Sequence, residues 1–180
     1  MEPKIFNVLF LCSGNSARSI MAEKLMEHWG KGRFKAYSAG SFPKSQVNPL
    51  TIKTLESHGL NSDGLRCKSW GEFSGFGAPH MDFVFTVCDD TAGEVCPIWP
   101  GQPMTAHWGI EDPEAVEGTD SEKLKAFQRS CRYLENRIKL FIALPIDTLN
   151  KLKIKDEIDA IGAIKEDYQK LNSNLELKKN

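Results

Sequence analysis

The chain has 180 residues, a length that fits one domain with a single substantial core. With 41% hydrophobic and 26% charged residues, its composition is that of a folded globular domain and excludes a disordered or fibrous chain. A net charge of −1 provides no general attraction to nucleic acid or to an anionic membrane, so we expect neither as a partner.

The first predicted element is a buried strand over residues 5–11, IFNVLFL, whose nearly continuous apolar run is typical of a central parallel strand. The segment around it has no basic region and no small-residue cleavage site, as a secretory signal would require. No apolar stretch of the chain approaches the roughly 18 residues of a membrane span. The sequence therefore predicts a cytoplasmic protein.

Helical and strand patterns alternate along the rest of the chain. The predicted elements are a helix from Ser16 to about Trp29, a strand at about 34–38, a helix over 49–58, strands at 83–88 and 104–108, a long amphipathic helix over 121–144 and a further helical segment from 146 to about 168. This alternation predicts one α/β domain with a small, about four-stranded, parallel sheet flanked by helices. We expect residues 1–145 to form the functional domain and 146–180 a helical extension, packed on it or trailing from it, with a frayed end.

Three of the predicted strands end in residues that carry chemistry. Cys12 follows the first strand, Cys88 ends the third, and His107 and Trp108 end the fourth. In α/β folds, ligands bind beyond the carboxyl ends of the strands. We therefore expect these three segments to converge on one crevice.

The segment CSGNSARS at 12–19 has the composition of an anion-binding loop. A turn of small residues between a strand and a helix aims backbone N–H groups at one point, and the helix N-terminus adds partial positive charge. Gly14 permits a tight turn, Asn15 tolerates unusual φ values, and Ser16 can cap the helix. Arg18 offers a planar fork of hydrogen-bond donors. The loop predicts a site for a tetrahedral oxyanion, formed by Ser13, Gly14, Asn15, Ser16, Ala17 and Arg18.

A cysteine at the mouth of such a loop is a candidate nucleophile. We expect the helix N-terminus and the Arg18 guanidinium to lower the pKa of Cys12, and the Ser19 hydroxyl to donate a hydrogen bond to the thiolate. The ATP-binding pattern G-x4-G-K-[ST] is absent, and the loop contains no lysine. The structural alternative is that Cys12 is a buried residue at a strand end and Arg18 a surface residue of the helix.

The five cysteines form an odd set without any secretory context, so structural disulfides explain them poorly. No C-x2-C pair or cysteine–histidine cluster at zinc-finger spacing occurs. We therefore expect no metal site and no organic cofactor. Each cysteine is then either a buried apolar residue or a catalytic or redox residue.

Three longer stretches carry the features of a known family. They are NVLFLCSGNSARSIMAE from residue 7, YSAGS at 37–41 and HWGIEDP at 107–113. The first two resemble the low-molecular-weight protein tyrosine phosphatase family, and the similarity runs from about residue 6 to about 143. The third resembles the arsenate reductase branch of that family, whereas the phosphatases place a tyrosine after Asp-Pro, where this chain has Glu114.

The resemblance implies a fold like that of the low-molecular-weight phosphatases, with residues 1–145 as the arsenate reductase domain. It implies reduction of arsenate to arsenite for arsenic detoxification, through an adduct on the Cys12 thiol, with Asp112 as the general acid that protonates the departing oxygen. Cys88 and Cys96, in TVCDDTAGEVCP, resemble the two redox cysteines of the thioredoxin-linked reductases. They are expected to relay electrons from thioredoxin; glutathione with glutaredoxin could instead supply the second thiol, with one or both of these cysteines spared.

One departure from the family pattern and two alternative functions stay open. Eight positions separate Cys88 from Cys96, where the family pattern has seven, so glutathione with glutaredoxin remains a candidate reductant. A phosphotyrosine or small phosphomonoester phosphatase would need only Cys12, Arg18 and Asp112, with water attacking the phosphocysteine. An oxyanion-binding or redox-sensing protein without turnover would have no use for the Asp112 loop.

Overall fold

The computed structural model describes residues 2–89, 94 and 97–165 of the chain. Four strands lie in this part: β1 (Phe6–Cys12), β2 (Phe34–Gly40), β3 (Phe83–Thr86) and β4 (Met104–His107). Neighbouring strands all run parallel, in the order β2-β1-β3-β4. The predicted small, four-stranded parallel sheet is confirmed.

Four α-helices accompany these strands within the described residues. They are α1 (Arg18–Trp29), α2 (Pro49–Ser57), α3 (Asp120–Ile142) and α4 (Lys151–Gly162). The helix predicted from residue 146 begins only at Lys151, where the Asn150 side chain accepts a hydrogen bond from Lys153 N and caps the first turn. The predictions for residues 166–180 lie outside the described part of the chain. None of the described helices is both long and apolar enough to cross a membrane.

The sheet is covered on both faces, as the apolar run of β1 predicts. Val8 and Phe10 lie in the larger core cluster, to which all four helices contribute. Leu9 and Leu11 point to the opposite face, where they pack in a second cluster with Phe73, Met81, Val84 and Trp99. The side chains that alternate along β1 are fully buried on both faces.

The strand order positions the functional residues. From β1 the chain passes through α1 to β2 on one side, and β3 lies on the other side of β1. In α/β folds, ligands bind at the position where the strand order reverses in this way. Cys12 pairs with Gly40, Leu11 with Thr86, and Thr86 with His107. The carboxyl ends of the strands are therefore level, and the segments that follow them meet at one edge of the sheet.

The end of β2 extends two residues beyond the predicted strand. It stays in register with β1 as far as the Cys12–Gly40 pair. A side chain at Gly40 would not fit, because its Cβ would lie 2.4 Å from the carbonyl oxygen of Ser13. Glycine thus lets the end of β2 pack directly against the loop that follows β1.

The last described helix, α4, docks on β4, which is an edge strand of the sheet. Trp108 Nε1 donates to the carbonyl oxygen of Ile158 at 2.9 Å, and Lys155 Nζ donates to that of Thr105 at 2.6 Å. Gly162 lies so close to β4 that a Cβ there would be 2.1 Å from the His107 carbonyl oxygen. Residues 151–162 therefore pack on the same domain.

Candidate active site

The loop of residues 13–17 joins β1 to α1 and lies against a second segment, residues 42–48. Three backbone hydrogen bonds of 2.9–3.1 Å connect the two: Phe42 N to Ser13 O, Lys44 N to Gly14 O, and Asn48 N to Ser16 O. The loop carbonyls are thus turned toward the 42–48 segment. This arrangement suits a loop whose backbone N–H groups bind an anion.

Asn15 adopts a φ of 49°, in the left-handed region that asparagine tolerates better than most residues. Its Nδ2 donates to Ser19 Oγ at 2.8 Å, and its Oδ1 accepts from Lys68 N at 2.8 Å. Because Ser19 Oγ accepts from Asn15, the Ser19 hydroxyl proton can serve as a donor. Asn15 therefore orients the group predicted to stabilise a Cys12 thiolate.

A buried lysine that the sequence did not single out supports Asn15. Lys68 is 8% exposed, and its Nζ contacts Asn15 Oδ1 at 3.4 Å, Ser38 Oγ at 3.2 Å and the Arg66 carbonyl at 3.0 Å. Ser38 Oγ in turn donates to the Glu23 carboxylate at 2.8 Å. Burial lowers the pKa of Lys68 and raises that of Glu23, and the charge of each residue opposes the shift of the other. Lys68 lies in a loop without a recognisable motif, so the sequence offered no signal for it.

Arg18 connects the loop to the segment that follows β4. Its Nη1 donates to the Ile110 carbonyl at 3.0 Å, and its Nη2 lies 3.6 Å from Asp112 Oδ2. Its Nε is buried and has no hydrogen-bond partner among the described residues. A buried guanidinium with donor capacity to spare suits the binding of a tetrahedral oxyanion. The alternative that Arg18 is a surface residue is wrong.

Two thiols meet at the carboxyl ends of β1 and β3. Cys12 and Cys88 are both buried, and the Cys88 thiol is close enough to Cys12 to raise its pKa. The Ser13 hydroxyl lies 3.7 Å from Cys88 Sγ and is a further partner. The fold thus brings the predicted nucleophile next to the first of the two predicted relay cysteines.

The ionisation of Cys12 differs from the expected one. The hydrogen bond with the Cys88 thiol, and then burial, raise the pKa of Cys12 far above its usual value, while the Arg18 guanidinium and the Gly14 N–H lower it by less. Arg18 thus acts in the predicted direction, but the prediction that the pKa of Cys12 is lowered overall is wrong for this arrangement. The physical reason is the second sulfur, whose distance from the first cannot be read from the sequence.

Asp112 begins a short 3₁₀ helix, Pro113–Ala115, beside Arg18. Its Oδ1 accepts from Glu114 N at 2.9 Å, and its Oδ2 pairs with Arg18. The side chain is 42% exposed, so water can supply and remove its proton. Its position beside the anion loop is one from which a general acid can act.

Glu114 is the second contributor that the sequence did not assign to the site. Its carboxylate accepts hydrogen bonds from the Ser16 hydroxyl and the Lys44 ammonium, and Asn48 Nδ2 lies 3.5 Å away. Ser16 therefore does not cap α1. The capping position is Ala17, which has no side-chain cap. The prediction of a Ser16 cap is wrong because Glu114 offers its hydroxyl a charged acceptor.

His107 contacts the beginning of the segment that contains the predicted relay cysteines. Its Nδ1 is hydrogen-bonded to Thr86 Oγ1 at 2.7 Å, and its Nε2 to Asp89 Oδ1 at 2.8 Å. These contacts give His107 an orienting position next to Cys88. Cys96 lies outside the described residues.

Comparison with known proteins identifies a family and several relatives that this chain is similar to. It matches the sequence profile of the family described as low molecular weight phosphotyrosine protein phosphatase over residues 7–155. It is also 35% identical over 146 residues to an arsenate reductase of Shouchella clausii, with 78% of this chain and 96% of that protein covered. The family match, over residues 7–155, spans the candidate site.

Solved structures agree with these matches. A structure described as an arsenate reductase in the phosphate binding state has a TM-score of 0.63 and 27% identity, with 77% of this chain and 98% of that one covered. The thioredoxin-dependent arsenate reductase of Corynebacterium glutamicum has a TM-score of 0.52 and 26% identity, with 78% and 65% covered. The chain belongs to the low molecular weight phosphotyrosine protein phosphatase family.

Proposed function

We propose that this protein reduces arsenate to arsenite, with Cys12 as the nucleophile. The observation that carries the proposal is the second buried thiol, Cys88, which follows the strand paired with β1 and is close enough to Cys12 to raise its pKa. A phosphatase needs one nucleophilic cysteine, whereas the two-electron reduction of arsenic needs two thiols that can join in a disulfide. The descriptions of the relatives as arsenate reductases support the same reaction.

The oxyanion binds in the loop of residues 12–18, between the backbone N–H groups and the Arg18 guanidinium. Cys12 enters as a thiol, in keeping with its raised pKa, and transfers its proton to the arsenate dianion. The total charge is unchanged by this transfer. It moves one negative charge from arsenate to sulfur, where Arg18, and in our proposal Ser19, stabilise it.

The first covalent step is attack of the Cys12 sulfur on arsenic. A sulfur–arsenic bond forms and an arsenic–oxygen bond breaks, and the Asp112 carboxylic acid protonates the departing oxygen, which leaves as water. Arsenic remains pentavalent in this adduct. No metal and no organic cofactor takes part.

Reduction takes place in the second step, when the Cys88 thiolate attacks the Cys12 sulfur. A disulfide bond forms, and the sulfur–arsenic bond breaks with its electron pair on arsenic, which becomes trivalent and leaves as arsenite after protonation by water. Two thiols are oxidised to one disulfide while arsenic gains two electrons. Cys96 then attacks Cys88 and releases Cys12, and thioredoxin, or glutathione with glutaredoxin, reduces the Cys88–Cys96 disulfide.

Arsenite formation by the purified full-length protein tests the proposal. We expect turnover of arsenate with thioredoxin and its reductase, or with glutathione and glutaredoxin. Cys88→Ser should abolish arsenite formation, because the disulfide cannot form, and should retain hydrolysis of p-nitrophenyl phosphate. Cys131→Ser is the matched control, since Cys131 is also a buried thiol but lies on α3.

The behaviour of Cys96→Ser separates the reductants. Its loss of thioredoxin-dependent turnover would support the three-cysteine relay, and turnover with glutathione that survives the substitution would support a route without Cys96. If neither system yields arsenite but phosphate esters are hydrolysed, the protein is instead a low-molecular-weight phosphotyrosine or phosphomonoester phosphatase. The site supports that second candidate because Cys12, Arg18 and Asp112 suffice for it.

A further inference from the structure

Two segments border the anion loop. Residues 42–48 are hydrogen-bonded to the loop carbonyls. Residues 110–114 contact the side chains of Arg18 and Ser16, through the Ile110 carbonyl and the carboxylates of Asp112 and Glu114. The loop therefore has both segments as direct neighbours.

Lys44 and Glu114 connect these two segments through a charged hydrogen bond. We call this pair the clasp. The Lys44 side chain lies over the loop backbone, since a Cβ on Gly14 would be 3.2 Å from Lys44 Cε and 3.3 Å from its Cγ. The Ser16 hydroxyl donates to the same Glu114 carboxylate. The clasp thus crosses the loop and is fixed to it.

Both members of the clasp are charged at neutral pH. Burial raises the pKa of Glu114, but hydrogen bonds from Lys44 and Ser16 outweigh it and hold that pKa below its usual value. The hydrogen bond to Glu114 raises the pKa of Lys44, and negative charge on Asp112 adds to this effect. The Lys44 ammonium is therefore within electrostatic range of the predicted general acid.

We propose that the clasp selects inorganic oxyanions over organic phosphate esters. An inorganic tetrahedral oxyanion presents only oxygen atoms and fits in the loop beneath the clasp. A monoester carries a carbon substituent on one oxygen, which must leave the loop between residues 42–48 and 110–114. Passage of that substituent opens the Lys44–Glu114 contact and loses a charged hydrogen bond. The inference rests on one part of the proposed function, namely that the oxyanion binds in the loop.

Equilibrium binding to the full-length protein tests this selectivity without turnover. In a Cys12→Ser background, which removes the nucleophile, we would measure Kd for inorganic phosphate and for phenyl phosphate by titration calorimetry. Glu114→Ala should strengthen binding of phenyl phosphate relative to phosphate by about tenfold. The ratio of the two Kd values is the readout, because loss of a carboxylate strengthens the binding of both dianions through charge alone.

Further variants separate the clasp from general charge effects. Lys44→Met opens the clasp from the other side and weakens the binding of both anions, yet it should shift the ratio in the same direction as Glu114→Ala. Glu114→Gln keeps the size of the side chain and should give a smaller shift of the same sign. Glu117→Ala removes an exposed carboxylate nearby and should leave the ratio unchanged.

An unchanged ratio in the folded Glu114→Ala and Lys44→Met proteins would overturn the proposal. If Glu114→Ala does not fold, Lys44→Met and Glu114→Gln decide by the same criterion, with folding checked by thermal unfolding. The result is independent of arsenate reduction. A shifted ratio in a protein that forms no arsenite would remove the reductase function and leave the clasp in place.

Discussion

The anion loop and the segment that begins at Cys88 are built differently. The loop is held by backbone hydrogen bonds, by the backbone N–H and side chain of Lys68, and by the side chain of Glu114. Cys88 is buried, but the next residue, Asp89, exposes 90% of its side chain and contacts His107. In the proposed function, anion binding would rely on donors that are fixed in advance, while electron transfer would rely on one sulfur at the boundary of the core. Substitutions in the loop should change every reaction of the bound anion, whereas those at Cys88 should abolish the redox reaction and retain ester hydrolysis.

Cys12→Ser should have the largest effect and should not distinguish the two chemistries. Both arsenite formation and hydrolysis of p-nitrophenyl phosphate should fall by about 10⁴-fold or more, because each requires the same sulfur nucleophile. Steady-state rates with each substrate check this. If one of the activities survived, a second nucleophile would have to act on that substrate.

Asp112→Asn should lower both activities by roughly 10²- to 10⁴-fold, because the amide cannot protonate the departing oxygen. The loss should be greater for phenyl phosphate than for p-nitrophenyl phosphate, since nitrophenolate leaves more readily without a proton. The binding of phosphate should be retained. Equal losses with both esters would argue against Asp112 as the acid, and a wild-type protein with neither activity would point to an oxyanion-binding or redox-sensing protein.

Lys68→Met should destabilise the protein and loosen the loop. The free energy of unfolding should fall by roughly 1–3 kcal/mol, because the substitution removes the cation whose charge favours ionisation of the half-buried Glu23 carboxylate. Denaturant unfolding measures this change, and phosphate affinity should fall with it as Asn15 loses a partner. The double variant Lys68→Met/Glu23→Gln should recover part of the lost stability. If single and double variants were equally unstable, the charge pair would not be the cause.

The smallest expected effect is a shift in the pH at which Cys12 reacts, and Cys88→Ala should reveal it separately from the loss of arsenite formation. The hydrogen bond with Cys88 makes the largest contribution to the raised pKa of Cys12, so its removal should lower that pKa and leave Arg18 to favour the thiolate. Alkylation by iodoacetamide, followed by mass spectrometry over a range of pH, should show the midpoint at lower pH. Cys131→Ala should not move it, although burial raises the pKa of Cys131 itself to about 12. If the midpoint did not move in Cys88→Ala, burial rather than Cys88 would be the main cause of the raised pKa of Cys12.

Much of the fold could be predicted because its signals are local. The apolar run of β1 and the helical period of α3 each reveal an element and the face that it buries. The strand order could not be predicted, since it depends on pairings such as those of Phe10 with both Ser38 and Phe85. No single segment of the sequence contains a signal that identifies its partner strands.

The same distinction applies to the site. The loop that follows Cys12 is contiguous, so its turn residues and arginine can be recognised together. The contact between Asn15 and Lys68 spans 53 positions, and that between Ser16 and Glu114 spans 98. These contacts determine how the loop is held and which acceptor binds the Ser16 hydroxyl. They arise from tertiary packing alone.

The docking of α4 on β4 affects the tendency of the protein to self-associate in a crowded solution. An edge strand whose backbone groups are open tends to pair with other chains. Lys155 covers the Thr105 carbonyl on this edge, and the helix buries Trp108, which stacks on Phe85 with ring centroids 3.9 Å apart. A chain that ended before Lys151 would expose the edge and the indole together and would self-associate. Helix α4, to which no catalytic group is assigned, thereby limits the loss of folded protein to self-association.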